Sequence, residues 1–327
     1  MREVHVVVPE GIDDPRRPSG GNVYDRRVCR ELAELGWAVQ EHRGGGAPGL
    51  ASALAEVPDG GLVVVDGLLA SLVPEVLRPE AERLRLVVLL HMPIDDPREA
   101  AALAAVSAVV ATSQWTSGWL RDRYGLSGVR VVPPGVDAAE LSPGTSSGGR
   151  LLSVGAVTPI KGQDLLMDAL ASIDDLAWSC EVVGALDIDA GFAAQVVGRK
   201  RHRVHFSGPL TDVAAAYARA DVLVLTSRAE SYGMVVTEAL ARGLPVISRD
   251  VGGVSEALGR TPDGTSPGLL VGSDDPRGLE QALRRWLGDP GERARLRAAA
   301  ASRRRTLGGW SQTAAALSEV LTELSDA

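Results

Sequence analysis

Cysteine, lysine and phenylalanine are nearly missing from this chain. Its 327 residues include two cysteines, Cys29 and Cys180, two phenylalanines, and two lysines, Lys161 and Lys200. The cysteines lie in different halves with no Cys or His at metal-ligand spacing beside them, which speaks against a disulfide framework or a zinc site and fits a reducing cytosol. Long apolar runs are absent as well. No segment approaches the roughly 18 apolar residues of a membrane span, and the start MREVHVVVPEGIDD has neither an apolar signal core nor a small-residue cleavage site. The expectation is a cytoplasmic protein without integral membrane association. Excess positive charge is lacking too: 34 Lys and Arg stand against 42 Asp and Glu, a net charge of −8. A nucleic-acid partner is therefore not expected, since a phosphate backbone needs a basic face. The densest basic run, Arg199-Lys200-Arg201-His202-Arg203, reads as a solvated helix end.

What is present is an ordinary globular composition, 45% hydrophobic and 23% charged. One hydrophobic core stops growing at about 250–300 residues, so two domains are expected. Short β-branched runs at Val4–Val8, Leu62–Val65, Leu86–Leu90, Val106–Ala111 and Val129–Val132 are continuously apolar. Strands buried on both faces need that pattern, and the helices between them, near Asn22–Leu35, Leu68–Arg83, Asp96–Ala105 and Trp115–Tyr124, supply the covers. The stretch PPGVDAAELSPGTSSGG, from Pro133 to Gly149, has linker composition. The pattern then restarts with strands at Leu151–Val154, Glu181–Val183, Val204–Phe206, Val222–Leu225, Pro245–Ile247 and Gly268–Val271. The reading is α/β, with two doubly wound parallel-sheet domains at 1–140 and 141–308. A last helix within 309–327 would pack back on the first domain. Nothing in the sequence sets the oligomeric state.

Four constellations fall at strand ends, where ligands of such sheets bind. Gly20-Gly21 precedes the first long helix, and its free amides and the helix dipole favour an anion. The spacing is not the dinucleotide fingerprint. His91 directly follows a buried strand, and its imidazole can donate to or accept from a hydroxyl, whereas His5 and His42 read as structural. Lys161 and Gly162 close a strand-to-helix loop beginning at Gly155, where an ammonium can neutralise phosphate oxygens. Glu230 and Glu238 flank Gly233, which opens a helix with free amides at Gly233, Met234 and Val235. Carboxylates at those places suit sugar and ribose hydroxyls.

In this order along the chain, these pieces resemble a retaining nucleotide-sugar glycosyltransferase of the GT-B fold, in glycosyltransferase family 4. The likeness also rests on Val131-Val132-Pro133-Pro134-Gly135-Val136-Asp137, Phe206-Ser207-Gly208, Ala220-Asp221-Val222 and Gly252-Gly253-Val254-Ser255-Glu256. It implies two Rossmann-like domains facing an interdomain cleft. It also implies a nucleotide-diphosphate sugar, by family frequency a UDP-sugar, as co-substrate with no other cofactor. By resemblance, Lys161 binds the donor diphosphate with the amides at Gly20-Gly21 and Gly233–Val235. Glu238 holds the ribose, Glu230 contacts the donor sugar and the reacting region, His91 meets the sugar, and Leu210 lines the base. Glu230, His91 and Lys161 are then the catalytic set.

One position departs from the family. The Arg that commonly follows the glycine equivalent to Gly155 is Ala156 here, and Arg228 is a candidate replacement. No metal is expected, because Asp187-Ile188-Asp189 reads as a helix cap rather than a manganese site. The short first domain and the lack of a basic amphipathic helix within it favour a small acceptor, such as a natural-product intermediate, over a membrane lipid. The alternatives are a non-catalytic or regulatory nucleotide-sugar-binding protein, which Ala156 keeps open, and a sugar-nucleotide epimerase.

Overall fold

The computed structural model describes every residue except Met1, Arg17, Thr211 and Ala327. The chain forms two compact units. Unit 1 comprises 2–14, Ser19–Gly135 and 308–326, and unit 2 comprises 136–307 with a short stretch at Pro15–Pro18.

Unit 1 runs β1 (Arg2–Pro9), α1 (Gly20–Glu34), β2 (Trp37–Gly44), α2 (Gly46–Ala55), β3 (Leu62–Asp66), α3 (Gly67–Ala70), α4 (Pro74–Glu80), β4 (Arg85–Leu90), α5 (Pro97–Leu103), β5 (Ala108–Ala111), α6 (Gln114–Tyr124) and β6 (Arg130–Val131). Every pairing in the sheet is parallel, in the order β2-β1-β3-β4-β5-β6. Val63, Val65, Leu86, Val88 and Leu90 are buried in one cluster with Leu50 and Leu54 of α2 and Leu77 of α4. Each such side chain contributes roughly 1.5–3 kcal/mol by leaving water.

The helix expected over Leu68–Arg83 is broken into α3 and α4. Pro74 occupies the first turn of α4, and a residue preceding proline is disfavoured in the helical region, so Val73 stays outside. α2, a helix absent from those expected, begins at Gly46, the last glycine of the run 44–46. β6 is shorter than the expected Val129–Val132.

Unit 2 runs β7 (Arg150–Val154), α7 (Gln163–Ser172), β8 (Ser179–Val183), α8 (Ala190–Gly198), β9 (Val204–Gly208), α9 (Ala214–Arg219), β10 (Val222–Leu225), α10 (Met234–Ala241), β11 (Val246–Asp250), α11 (Val254–Leu258), β12 (Gly268–Gly272), α12 (Gly278–Gly288) and α13 (Pro290–Arg303). Its sheet is also wholly parallel, in the order β12-β11-β10-β7-β8-β9. Apolar clusters cover both faces, one around Leu166, Leu170 and Trp286 and the other around Tyr217, Val236 and Leu240. The final helix, α14 (Trp310–Ser325), belongs to unit 1. Its Trp310 ring meets Tyr24 edge-on at 5.7 Å, and Trp37 Nε1 donates to Ser318 Oγ at 2.9 Å.

Each sheet reverses its winding once, between β1 and β3 in unit 1 and between β7 and β10 in unit 2. The connections leave opposite faces at such a point, which opens a crevice at the strands' carboxyl ends. No helix among the described residues is long and apolar enough to cross a membrane.

Candidate functional site

In unit 2 the chain leaving β7 turns at Gly155, passes Ala156 and enters a 3₁₀ turn at Pro159–Lys161. Gly162 then has φ +66°, and a Cβ there would meet Thr226 O at 2.4 Å, so only glycine lets the turn lie against the end of β10. Gln163 is buried beneath the loop. Its Nε2 donates to Ala156 O at 3.0 Å, and its Oε1 accepts from Thr158 N at 3.3 Å. The loop is thereby held open around Lys161, whose side chain runs past Gly155.

Lys161 Nζ donates to Glu230 Oε1 at 2.6 Å, and Ser227 Oγ donates to the same oxygen at 2.7 Å. The lysine side chain is 30% exposed and the glutamate 7%, so one partner reaches solvent and the other is held from below. The Glu230 loop is shaped by Gly252 and Gly253. A Cβ on Gly252, at φ +57°, would fall 1.7 Å from Glu230 O, and one on Gly253 would fall 2.2 Å from Ser231 O. Gly253 N also donates to Glu230 O at 2.9 Å.

Gly233, at φ +94°, caps α10. The first amides of a helix have no partner within it, so Gly233, Met234 and Val235 present donors and a positive dipole end at the crevice. Glu238, one turn in, is half-buried and accepts from Tyr217 Oη at 2.8 Å. Burial raises its pKa, against the opposing effects of the Tyr217 hydrogen bond and the Arg242 charge. Leu210 is half-buried against the cluster of Tyr217 and Val236. Arg228, the candidate for the missing cation, is committed elsewhere. Its guanidinium makes a fork to both carboxylate oxygens of Asp164, at 2.8 and 2.6 Å, and donates to Pro159 O at 2.7 Å. It staples the 3₁₀ turn to α7 and β10.

In unit 1, Ser19 caps α1 by accepting from Asn22 N, and the helix opens with Gly20 and Gly21. A Cβ on Gly21 would stand 3.0 Å from His91 Cδ2, so the glycine lets the imidazole lie against the helix start. His91 Nε2 bonds Asp25 Oδ1 at 2.9 Å and lies 3.8 Å from Asp66 Oδ2. Asp66 Oδ1 accepts from Leu68 N at 2.6 Å. Burial, then the Asp25 carboxylate, pushes Asp66 up to about 7. Burial works against charge on His91, but Asp25 and Asp66 outweigh it and raise its pKa. The three residues offer ligand atoms within 4.8 Å of one another. A shared proton or a cation could balance such a group, where the sequence reading anticipated no metal.

Sequence reasoning missed Asp25, Asp66 and Gln163. Asp25 shares the buried stripe of α1 with Val28 and Leu32, and Asp66 ends the continuously apolar run of β3. A carboxylate on an otherwise apolar surface was the available signal. Asp189, read as a cap, accepts from Phe192 N at the start of α8. Asp96 caps α5 and Asp95 pairs with Arg123, while both cysteines are free.

Residues 148–289, most of unit 2, match the family model described as Glycosyl transferases group 1. Over 243 residues the chain is 32% identical to a D-inositol 3-phosphate glycosyltransferase from Frankia alni, covering 66% of this chain and 58% of that protein. Over 251 residues it is 31% identical to one from Xylanimonas cellulosilytica, covering 69% and 59% respectively. The chain thus spans a little over half the length of these curated relatives. Among solved structures, sucrose-phosphate synthase from Thermosynechococcus elongatus superposes with a TM-score of 0.82 at 22% identity, over 99% of both chains. Anabaena HepE in complex with UDP-glucose does so with a TM-score of 0.76 at 19% identity, over 99% of this chain and 100% of that one. The fold is therefore that of the GT-B glycosyltransferases.

Proposed function

We propose that this chain transfers a sugar, with retention of anomeric configuration, from a UDP-sugar to a hydroxyl of a small acceptor. The observation carrying the reading is the Lys161–Glu230 contact at the winding reversal of unit 2, beside the open amides of α10. An ammonium and a helix N-terminus make a diphosphate site, and a nearby carboxylate makes a sugar-hydroxyl site. Without donor, the two side chains neutralise each other. With donor bound, the diphosphate takes over Lys161, and Glu230 is released to accept from the sugar. Glu238, steadied by Tyr217, takes the ribose, and Leu210 borders the base. The UDP-glucose bound by the Anabaena neighbour supports this choice of donor.

In the proposed reaction, a bond forms between the acceptor oxygen and the anomeric carbon as the bond from that carbon to the diphosphate oxygen breaks. The electron pair leaves with uridine diphosphate, and the hydroxyl proton passes to the departing phosphate on the same face. No protein nucleophile is needed, and the work of Lys161 and the α10 amides is to stabilise the charge that develops on the leaving group. For Gly20, Gly21 and His91, which belong to unit 1, a role toward the donor is proposed from the sequence resemblance alone.

The test is release of uridine diphosphate from UDP-sugars, with product configuration read by nuclear magnetic resonance. Lys161→Ala and Glu230→Ala should each lower turnover by on the order of 100-fold or more, the range for loss of one preorganised charge-stabilising group. Unchanged release in either variant would remove the site assignment. Added chelator should leave turnover unchanged, and inhibition reversed by a divalent cation would overturn metal independence. The relatives' name raises an inositol phosphate as a second acceptor class, for which the same assay serves.

A further inference from the structure

Asp25, Asp66 and His91 come from three elements of unit 1, and close backbone packing joins them. Gly21 and Asp25 are four residues apart on α1 and so share a face. A Cβ on Gly21 would stand 3.0 Å from His91 Cδ2, and Asp25 Oδ1 bonds His91 Nε2 at 2.9 Å, so that face of α1 lies on the imidazole. Asp66 is in register with Leu89 of β4, two residues before His91. A Cβ on Gly67 would meet Leu89 O at 3.1 Å, which keeps the ends of β3 and β4 together. Tyr24, fully buried, meets the imidazole edge-on at 5.3 Å and donates from Oη to Val132 O at 3.0 Å. A helix and two strand ends therefore hold the three side chains in place.

Hydrogen bonding within the chain leaves this group incomplete. Asp25 is 3% exposed, and its Oδ2 is buried without a hydrogen-bond partner among the described residues. Asp66 is 4% exposed; its Oδ1 accepts from Leu68 N at 2.6 Å, but its Oδ2 lies 3.8 Å from His91 Nε2, beyond hydrogen-bond length. The charges that act on His91 are those of Asp25 and Asp66, with no Lys or Arg among them. Arg26, next along α1, turns to Asp13 and Glu41. Two carboxyl groups thus face one imidazole in a poorly solvated place, where a carboxylate without a counter-charge is costly. A divalent cation cancels two carboxylates and leaves the imidazole neutral, the form in which histidine ligates.

The spacing agrees with a small transition metal. Ligands about 2.0–2.1 Å from zinc, at the corners of a tetrahedron, lie roughly 3.4 Å from one another. His91 Nε2 is 2.9 Å from Asp25 Oδ1 and 3.8 Å from Asp66 Oδ2, on either side of that length. The three ligand atoms all lie within 4.8 Å of one another. One imidazole nitrogen with two carboxylate oxygens suits zinc better than calcium or magnesium, which take oxygen ligands in larger number. The His91 side chain is 19% exposed, which gives an entry path and room for a water as fourth ligand.

We propose that Asp25, Asp66 and His91 bind one zinc ion, which ties α1 to the ends of β3 and β4. No step of sugar transfer passes through the ion. When it is withdrawn, a proton shared by the carboxyl groups restores the balance of charge, so chelation is compatible with turnover. The proposal is independent of the transferase reading, and its readout is metal binding.

Calorimetry with zinc chloride on the chelator-treated chain should show one ion bound per chain, and zinc should raise Tm by several degrees. His91→Gln, Asp25→Asn and Asp66→Asn should each weaken binding by roughly 100-fold or more, at or beyond the loss that follows removal of a ligand's outer partner. His42→Gln is the control and should bind zinc as the parent does, because His5 Nδ1 and His42 Nε2, 2.9 Å apart, are a second place for zinc to collect. Cooperative unfolding in urea first shows that a variant is folded. If none of the three folds, diethyl pyrocarbonate on the parent chain decides: zinc should slow modification of His91 and leave that of the exposed His202 unchanged. Absence of zinc binding, parental affinity in any of the three variants, loss of binding in His42→Gln, or modification of His91 indifferent to zinc each overturns the proposal.

Discussion

Lys161 is one of two lysines among 34 cationic residues, and its surroundings explain why arginine does not stand there. Its Nζ reaches a single buried oxygen of Glu230 at 2.6 Å, and its methylenes pass 3.6 Å from where a Cβ on Gly155 would lie. A compact ammonium fits such a slot, whereas a planar guanidinium needs a fork of acceptors. Lys161→Arg should therefore lower kcat/KM by roughly tenfold or more, in the range of one mispositioned charged hydrogen bond. Near-parental kinetics would attribute the lysine to chance. Ala156 gains a different meaning, because the carbonyls around it are occupied by Gln163 and Arg228 is drawn to Asp164. Arg228 does not replace the second cation of the family that the sequence resembles.

A second residue-scale prediction concerns pH. Asp66 is raised from its ordinary 3.8 to about 7, and His91 is raised above 6.5. A carboxyl whose pKa is higher in the folded state binds its proton more tightly there, so folding is favoured below about pH 4 and that advantage is lost as pH rises through 7. His91 acts in the same direction from its ordinary value upward. Across the window the loss is at most about 1.4 kcal/mol per pH unit for each group. Asp66→Asn should flatten the dependence of Tm on pH between 5 and 8. A slope unchanged by the substitution would show that the proton resides elsewhere.

At the scale of elements, the site depends on loops whose shape is set by close backbone approach. Gly252 is the sharpest case, combining φ +57° with a Cβ position 1.7 Å from Glu230 O. Gly252→Ala should destabilise unit 2 by roughly 2–4 kcal/mol, from backbone strain and overlap together. It should also weaken uridine diphosphate binding, because the loop carrying Glu230 must move. Equal binding with lowered stability would separate the loop's packing from its ligand role. The sequence pattern singled out Gly252-Gly253 only through family resemblance. Their physical purpose needed coordinates, since a glycine's neighbour across space leaves no trace in spacing along the chain.

At the scale of the whole chain, α14 completes unit 1 although 172 residues of unit 2, Val136–Leu307, separate it from the rest. Trp310 is buried against Tyr24, and the backbone at Gly309 and Trp310 lies so close to Gly135 that a Cβ there would overlap it at 2.4–2.6 Å. Trp310→Ala should cost about 3–5 kcal/mol of unfolding free energy in urea, the range for removing a buried tryptophan. A loss under about 1 kcal/mol would mean that α14 is not integral to the unit.

The sequence by itself determined the α/β class, the parallel strands, the restart near residue 150 and the strand-end positions of His91, Lys161 and Glu230. Continuous apolar runs and glycine-bearing strand exits are local patterns, and buried parallel strands admit few other readings. Tertiary structure alone decided which strands are neighbours and therefore where each sheet reverses. It brought Lys161 onto Glu230, 69 residues away, and His91 onto Asp25 and Asp66. It also turned Arg228 toward Asp164. Those outcomes depend on strand order and on side-chain geometry across the sheet, which periodicity along a chain does not encode.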